Sequence, residues 1–106
     1  MEMNKYIVVC KNGGANVAVK DGEHMYLYSP ETVGGLKVVR IPATSVSQYP
    51  VNLYPGFQVT MVSREVMQMD LMDATGELCG AFPVVAPRIM TQLKAAHAAY
   101  SKKIVS

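Results

Sequence analysis

The last third of the chain constrains the fold most, because a strand pattern, a turn and a helix pattern follow one another there. Met67, Met69 and Leu71 alternate with polar residues, which is typical of a half-buried strand. The turn signal Asp73-Ala74-Thr75-Gly76 precedes a second apolar stretch, and Pro87 suits the first turn of a helix. The face that this helix would bury carries Ile89, Leu93, His97, Tyr100 and Ile104. The pattern therefore predicts a β-rich body closed by one terminal amphipathic helix.

Upstream, five short stretches have the apolar alternation or the β-branched composition of strands, and Gly, Asn, Asp or Pro separates them. The predicted strands cover residues 5–10, 15–20, 24–29, 36–41, 57–62, 66–72 and 77–82, and the helix covers residues 87–103. Seven closely spaced strands predict a mainly β (α+β) single domain over residues 1–106. Its form is a seven-stranded antiparallel small barrel, or two packed sheets, capped by the C-terminal helix. Between the fourth and fifth strands, Pro50 and Pro55 predict a loop with a stretch of edge strand.

The composition is apolar for so small a domain. Half of the 106 residues are hydrophobic and only 17% are charged, although a small domain has a large surface to cover with polar groups. One interpretation is a compact β protein whose strands are buried on both faces. The other is apolar surface covered by a second copy of the chain, which predicts a homo-oligomer. Both stay open at this stage.

The charge pattern disfavours nucleic acid as a partner. Ten Lys and Arg residues against eight Asp and Glu residues give a net charge of +2. The basic residues are scattered along the chain, whereas nucleic-acid binders usually concentrate them in one patch. No apolar run approaches the roughly 18 residues that span a bilayer. The beginning of the chain, with Glu2 and Lys5, lacks the pattern of a signal peptide. We therefore expect a cytoplasmic protein with reduced thiols, no membrane span and a protein partner.

His24 lies beside Asp21 and Glu23, and a histidine with two carboxylates can bind a metal ion. These residues straddle a predicted turn, so their side chains point in different directions and a solvated hairpin is the favoured interpretation. The sequence contains no cofactor or metal-binding motif. We therefore predict no cofactor and no metal site.

Cys79 and His97 are the candidates for a nucleophilic site. Cysteine in that role needs a lowered pKa and partial exposure, and imidazole titrates near neutrality. No orienting Asn or Asp is marked beside them, so we favour Cys79 as a strand residue and His97 as a hydrogen-bonded residue of the core or of an interface. A disulfide between Cys10 and Cys79 requires that their strands pair.

The proline-rich segment between the fourth and fifth strands carries the best candidates for partner contact. Tyrosine supplies a rigid contact area with a polar tip, and proline pre-orders a loop. The alternative is that this segment folds back as a minor core. Met72 is also a candidate, because it falls on the opposite face of its strand from Met67 and Met69. This second apolar face has to be covered by the helix, by another sheet or by a partner. The candidate partner-binding residues are Tyr49, Val51, Leu53, Tyr54, Phe57 and Met72.

The order of elements, seven strands and then one C-terminal helix, resembles the pleckstrin-homology-like fold. The stretch LKVVRIPATSVSQY at residues 36–49 is similar to the strand in which bacterial members carry an I-P-x-x-x-I-x-x pattern, and residues 66–93 are similar to their closing hairpin and helix. The prolines of residues 49–57 depart from that pattern. The resemblance implies an interaction module that binds proteins, peptides or lipids on loops or sheet edges and that oligomerises in bacteria. The first hairpin loop holds only Lys11, so it lacks the clustered basic residues with which the family binds lipid phosphates.

These observations favour a non-enzymatic protein–protein interaction module that self-associates. Accessory or inhibitor proteins of phages and mobile elements fit this profile. One alternative is a small-molecule or nucleotide-binding protein with its ligand at the barrel mouth or at a subunit interface. Another alternative is a small enzyme that uses His97 or Cys79.

Overall fold

A computed structural model describes residues 5–10, 14–28, 37–50, 54–63, 70–73 and 83–105. Its elements in chain order are β1 (Tyr6–Val9), β2 (Ala15–Asp21), β3 (His24–Tyr28), β4 (Lys37–Pro42), a 3-10 turn (Ala43–Ser45), β5 (Val46–Gln48), β6 (Gln58–Val62), β7 (Asp70–Asp73) and α1 (Pro87–Val105). The predicted build, mainly β with one C-terminal helix, is confirmed. The strand predicted over 77–82 and most of the strand predicted over 66–72 lie outside the described residues.

The described strands form one sheet, in the order β5-β6-β1-β2-β3-β4-β7. The prediction of an antiparallel sheet is wrong, because β1 and β6 pair in parallel, with Ile7 opposite Val59. The other pairs of neighbouring strands are antiparallel. The physical reason is that turn signals determine only the relative direction of consecutive strands. The β1–β6 contact joins strands that are far apart in the sequence, and no local pattern encodes it.

The connection between β4 and β5 does not reverse the chain. The two strands run in the same direction, and the 3-10 turn Ala43–Ser45 joins them. In a flat sheet of this order, β4 and β5 would lie five strand spacings apart, about 24 Å. The four peptide steps from Pro42 to Val46 span about 14 Å at most. The sheet must therefore curl into a half-barrel that brings its β5 end towards β4.

One face of the sheet, the helix face, packs against α1. Ile7, Val17, Tyr28 and Val38 lie in register across β1, β2, β3 and β4, and all four are buried there. The helix contributes Ile89, Met90, Leu93, Ala96 and Tyr100 to this core. Their spacing of three and four residues is the amphipathic pattern that the sequence shows. At about 25 cal/mol per Å² of apolar surface removed from water, this contact is worth several kcal/mol.

The opposite face, here called the concave face, has its own apolar cluster. Val8, Ala18, Met25 and Ile41 are buried at its centre. Partly buried side chains pack around them: Tyr6, Leu27, Val39, Val46 and Val62. This cluster combines residues of β4 with residues of β5 and β6 because the sheet curls. Strands buried on both faces thus account for part of the high apolar content.

Candidate functional site

One row of residues on the concave face keeps part of its apolar surface exposed. The strand register aligns, in order, Tyr6, Ala18, Leu27, Val39 and Leu71, here called the apolar row. Ala18 is fully buried, Leu71 is 36% exposed, and the other three side chains are partly buried. The ends of the row are four strand spacings apart, about 19 Å along the sheet. The row is uncharged throughout, and its partly exposed members are Tyr6 on one side of Ala18 and the adjoining Leu27, Val39 and Leu71 on the other.

A cavity adjoins the apolar row at its β6 end. Gln58, which lies opposite Tyr6, lines an open cavity of about 400 Å³. The other residues that line it are Gln48, Tyr49, Pro50, Phe57, Val59 and Thr60. None of these lining residues is charged. The cavity therefore offers amide, hydroxyl and aromatic groups to a neutral ligand.

Thr60 contributes a buried polar group to this part of the concave face. The residue is 8% exposed, and its Oγ1 atom makes no hydrogen bond in the part of the chain that the structure describes. A buried hydroxyl without a partner costs about 1–3 kcal/mol, because it has lost its hydrogen bonds to water. Thr60 therefore lowers the stability of the half-barrel at the wall of the cavity.

Two predicted partner-binding residues, Tyr54 and Phe57, pack against the C-terminal part of α1. The ring centroid of Tyr100 lies 5.6 Å from that of Tyr54 and 6.4 Å from that of Phe57. Phe57 is buried, and Tyr54 packs against the same core. In the monomer these rings belong to the helix-face core and not to a separate minor core. Their contact with a partner stays a prediction.

The other predicted partner-binding residues do not gather at one place. Tyr49 is partly buried at the cavity, and its backbone N–H donates to the Val59 carbonyl at 2.9 Å. Met72 lies opposite Val38 on the far side of the sheet and is buried in the helix-face core. Val51 and Leu53 lie outside the described residues. The structure thus brings Tyr49 and Phe57 together at the cavity, whereas Met72 does not line it.

The apolar row is not among the predicted contact residues, although the sequence of β3 carries a signal for it. Met25 and Leu27 face the concave side, whereas Tyr26 and Tyr28 face the helix. A strand that is apolar at both odd and even positions has no polar face, which indicates contacts on both sides of the sheet. The register that aligns Leu27 with residues of four other strands is not visible in the sequence.

His97, a candidate for nucleophilic chemistry, packs on the helix face. Its ring lies edge-on to Tyr28 with the centroids 5.3 Å apart, and its Nε2 atom is 3.5 Å from the Ser101 hydroxyl. The ring packing against Tyr28 and this weak polar contact explain the position of His97. Cys79 lies outside the described residues. Cys10 is a free, partly buried thiol whose sulfur accepts a weak hydrogen bond from the Asn16 amide at 3.5 Å.

Asp21, which precedes His24 by three residues in the sequence, forms an ion pair with Arg88 of α1. Arg88 donates two hydrogen bonds to its carboxylate, at 3.1 and 2.9 Å. These bonds hold the pKa of Asp21 below its ordinary value of 3.8. A second ion pair, 2.7 Å from Arg40 Nη2 to Asp70 Oδ2, joins β4 to β7. Within the described ranges, no three His, Cys, Asp or Glu side chains are grouped as metal ligands.

Comparison with known proteins finds no match to this chain among family models, curated proteins or solved structures. Across the part of the chain that the structure describes, no helix has the length and apolar character needed to cross a membrane. Function is therefore inferred from the geometry of the concave face.

Proposed function

We propose that this protein is a non-enzymatic protein–protein interaction module whose partner binds the apolar row. One observation carries the proposal: Leu27, Val39 and Leu71 stay partly exposed on a face where Ala18 and Met25 are buried. Contiguous exposed apolar surface in a small domain marks a site of interaction. Because no residue of the row is charged, the complementary surface of the partner is apolar.

The dimensions of the apolar row suit one secondary-structure element of a partner. The row is about 19 Å long along the sheet, which about 13 residues of an α-helix cover at a rise of 1.5 Å per residue. Tyr6, at one end, has the rigid aromatic ring and polar tip that are common in interface anchors. Leu71, at the other end, is the most exposed residue of the row. We infer that an amphipathic segment lies across the strands, between these two ends.

Self-association is part of the proposed function. It is supported by the hydrophobic half of the composition and by the apolar surface that folding leaves on the concave face. The order of strands followed by a C-terminal helix is what supports kinship with pleckstrin-homology-like interaction domains, whereas the parallel pair of β1 and β6 departs from the antiparallel sheet expected with it. An accessory or inhibitor role in the cytoplasm, as in proteins of phages and mobile elements, agrees with a small domain that acts by occupying another protein's surface.

Site-specific crosslinking tests the apolar row. Leu27 is replaced by the photo-reactive residue benzoylphenylalanine, and the matched control carries it at Ala95, which is exposed on α1. Irradiation in the native host is expected to give a defined protein adduct from position 27 and a much weaker one from position 95. Equal yields from the two positions, or no adduct from position 27, would refute the proposed binding face.

The cavity beside Gln58 favours a second candidate function, the binding of a neutral small molecule or nucleoside. Its volume of about 400 Å³ lies within the range of ligand pockets. A ligand that binds only the folded state raises the melting temperature, and the stabilisation grows with the logarithm of the ligand concentration divided by its dissociation constant. A thermal-shift screen of nucleosides and uncharged metabolites therefore tests this candidate. Hits that lose their effect in Tyr49→Ala support it, and a screen without hits counts against it.

A further inference from the structure

The outer edge of β5 carries backbone groups that point away from the sheet. The N–H of Tyr49 donates to the Val59 carbonyl at 2.9 Å, and the N–H of Ser63 donates to the Ser45 carbonyl at 2.8 Å. In an antiparallel ladder, hydrogen-bonded residues alternate with residues that face outwards. Residues 45, 47 and 49 therefore bond to β6. Val46 and Gln48 direct their N–H and C=O groups to the outer side of β5, away from β6.

One of these outward groups is already used. The N–H of Val46 donates to the carbonyl of Ala43 in the preceding 3-10 turn. This leaves the N–H and C=O of Gln48 and the C=O of Val46. In the described part of the sheet, β5 is a terminal strand, and no described strand pairs with its outer side.

This edge lacks the charges with which proteins usually prevent strands from pairing. Natural edge strands are protected by lysines, inward-pointing charges, prolines or short length. Residues 43–50, ATSVSQYP, contain no charged side chain, and their protection is limited to the shortness of β5 and Pro50. Ser47 and Gln48 are both exposed. A second uncharged strand can therefore approach without electrostatic repulsion.

We propose that two copies of the chain associate by antiparallel pairing of β5 with β5 of the second copy, around a twofold axis at Ser47. This inference rests on the self-association in the proposed function and specifies the surface through which the two copies bind. In this register, the N–H of Gln48 donates to the carbonyl of Val46 of the partner subunit, and the twofold axis repeats the bond. The register leaves Pro50, which has no N–H, outside the ladder.

The side chains at this contact are compatible with the pairing. Ser47 meets its symmetry mate on the helix face, where two small uncharged side chains fit between the strands. Val46 and Gln48 lie on the concave face, as do Val62 and Thr60, their partners in β6. A twofold axis perpendicular to the sheet keeps both concave faces on the same side. The dimer therefore has one continuous sheet with two apolar rows that open in the same direction.

Light scattering coupled to size-exclusion chromatography tests the pairing at micromolar concentration. Wild type is expected at about twice the 11.5 kDa monomer mass. Gln48→Pro removes an N–H that the monomer ladder does not use, so it is expected to raise the dimer dissociation constant roughly tenfold or more. Gln48→Ala is the matched control, because it shortens the side chain but keeps the N–H, and it is expected to remain dimeric.

A charge exchange at Ser47 keeps the test decisive if Gln48→Pro fails to fold. Ser47→Lys and Ser47→Glu each place like charges together at the axis, so each is expected to be monomeric, with unchanged circular dichroism. An equimolar mixture of the two is expected to restore a dimer, because opposite charges then meet. Ala98→Lys, on the exposed side of α1, controls for the added charge.

The outcomes separate this contact from the proposed function. If wild type is dimeric and stays dimeric in folded Gln48→Pro and Ser47→Lys, the β5 contact is wrong while self-association stands. If wild type is a monomer, both self-association and the β5 contact are wrong. In that case the crosslinking at Leu27 still decides whether the apolar row binds another protein.

Discussion

At the scale of single residues, two features of the structure bear on the stability of the protein, a buried hydroxyl and a glycine with positive φ. Thr60 keeps a buried hydroxyl without a hydrogen-bond partner among the described residues, and its neighbour across the β1–β6 pair is the fully buried Val8. Gly22 has φ +60, a backbone conformation that L-residues with a side chain adopt at a cost. It is the first of the two residues between β2 and β3, as in a type II′ turn. The sequence shows the turn plainly, whereas nothing in it reveals that the Thr60 hydroxyl is unpaired.

Replacement of Thr60 by valine is expected to stabilise the protein. The change keeps the shape of the side chain and removes the unsatisfied hydroxyl, so the free energy of unfolding should rise by about 1 kcal/mol. Thr60→Ser, which keeps the hydroxyl and deletes a methyl group, should lower it by about 1 kcal/mol. Urea denaturation measures both. A less stable Thr60→Val would show that this hydroxyl has a partner.

Replacement of Gly22 by alanine is expected to lower the free energy of unfolding by about 1 kcal/mol. A Cβ atom at this position would meet nothing within 4 Å, so the cost is that of the backbone conformation alone. Glu23→Ala is the matched control, because the neighbouring Glu23 is exposed and has no positive φ, so its replacement should change the free energy of unfolding little. Equal losses in the two variants would contradict this explanation.

The pair of Asp21 and Arg88 predicts a dependence of stability on pH. Since the hydrogen bonds from Arg88 lower the pKa of Asp21, the unfolded chain binds this proton more tightly than the folded chain. The contribution of the pair is therefore complete above pH 3.8 and is lost as the pH falls through the lowered pKa. Asp21→Asn should melt slightly below wild type at neutral pH, and the difference should vanish in acid. A difference that is constant with pH would exclude this role.

At the scale of elements, α1 is the part that the sequence predicts best. Its amphipathic spacing is local, and it begins at Pro87, a residue that fits the first helical turn. Two features of the sheet are harder to predict from the sequence. β5 is three residues long and lies in a proline-rich stretch, where the sequence indicates only a loop with some edge strand. The pairing of β1 with β6 depends on the whole sheet, so no local pattern predicts it.

Truncation of Leu93 tests the contact between the helix and the sheet. Leu93 is fully buried in the middle of α1, so Leu93→Ala should lower the free energy of unfolding by about 2–5 kcal/mol. The neighbouring Lys94 is exposed, and Lys94→Ala should change it by less than about 0.5 kcal/mol. Chemical denaturation measures both. Similar values for the two variants would mean that α1 does not pack on the sheet.

At the scale of the whole molecule, the curl of the sheet decides what the chain can bind. It buries the centre of the concave face and leaves the apolar row partly open. The sequence indicates strands with two apolar faces but not which residues line up across them, because the register depends on the pairing of all the strands. The predicted contact residues were taken from one loop, whereas the apolar row draws single residues from five strands.

A double-mutant cycle between Ile41 and Val62 tests the curl. In a flat sheet these residues would be four strand spacings apart, about 19 Å, and their effects on stability would add. In the half-barrel both belong to the concave cluster, so we expect an interaction energy of about 0.5 kcal/mol or more. Ile41→Ala combined with Leu93→Ala, on the opposite face, is the additive control. Additivity in both pairs would argue for a flat sheet.

The parallel contact between β1 and β6 also sets the order of events during synthesis. β1 is synthesised well before its neighbour on one side, Gln58–Val62, because four other described strands lie between them in the sequence. Until then, the nascent hairpins of β1 to β3 expose an unpaired strand border, and contacts so distant in sequence form slowly. A pause in translation before residue 58 would therefore prolong the time in which a chaperone, or another nascent copy, can capture β1.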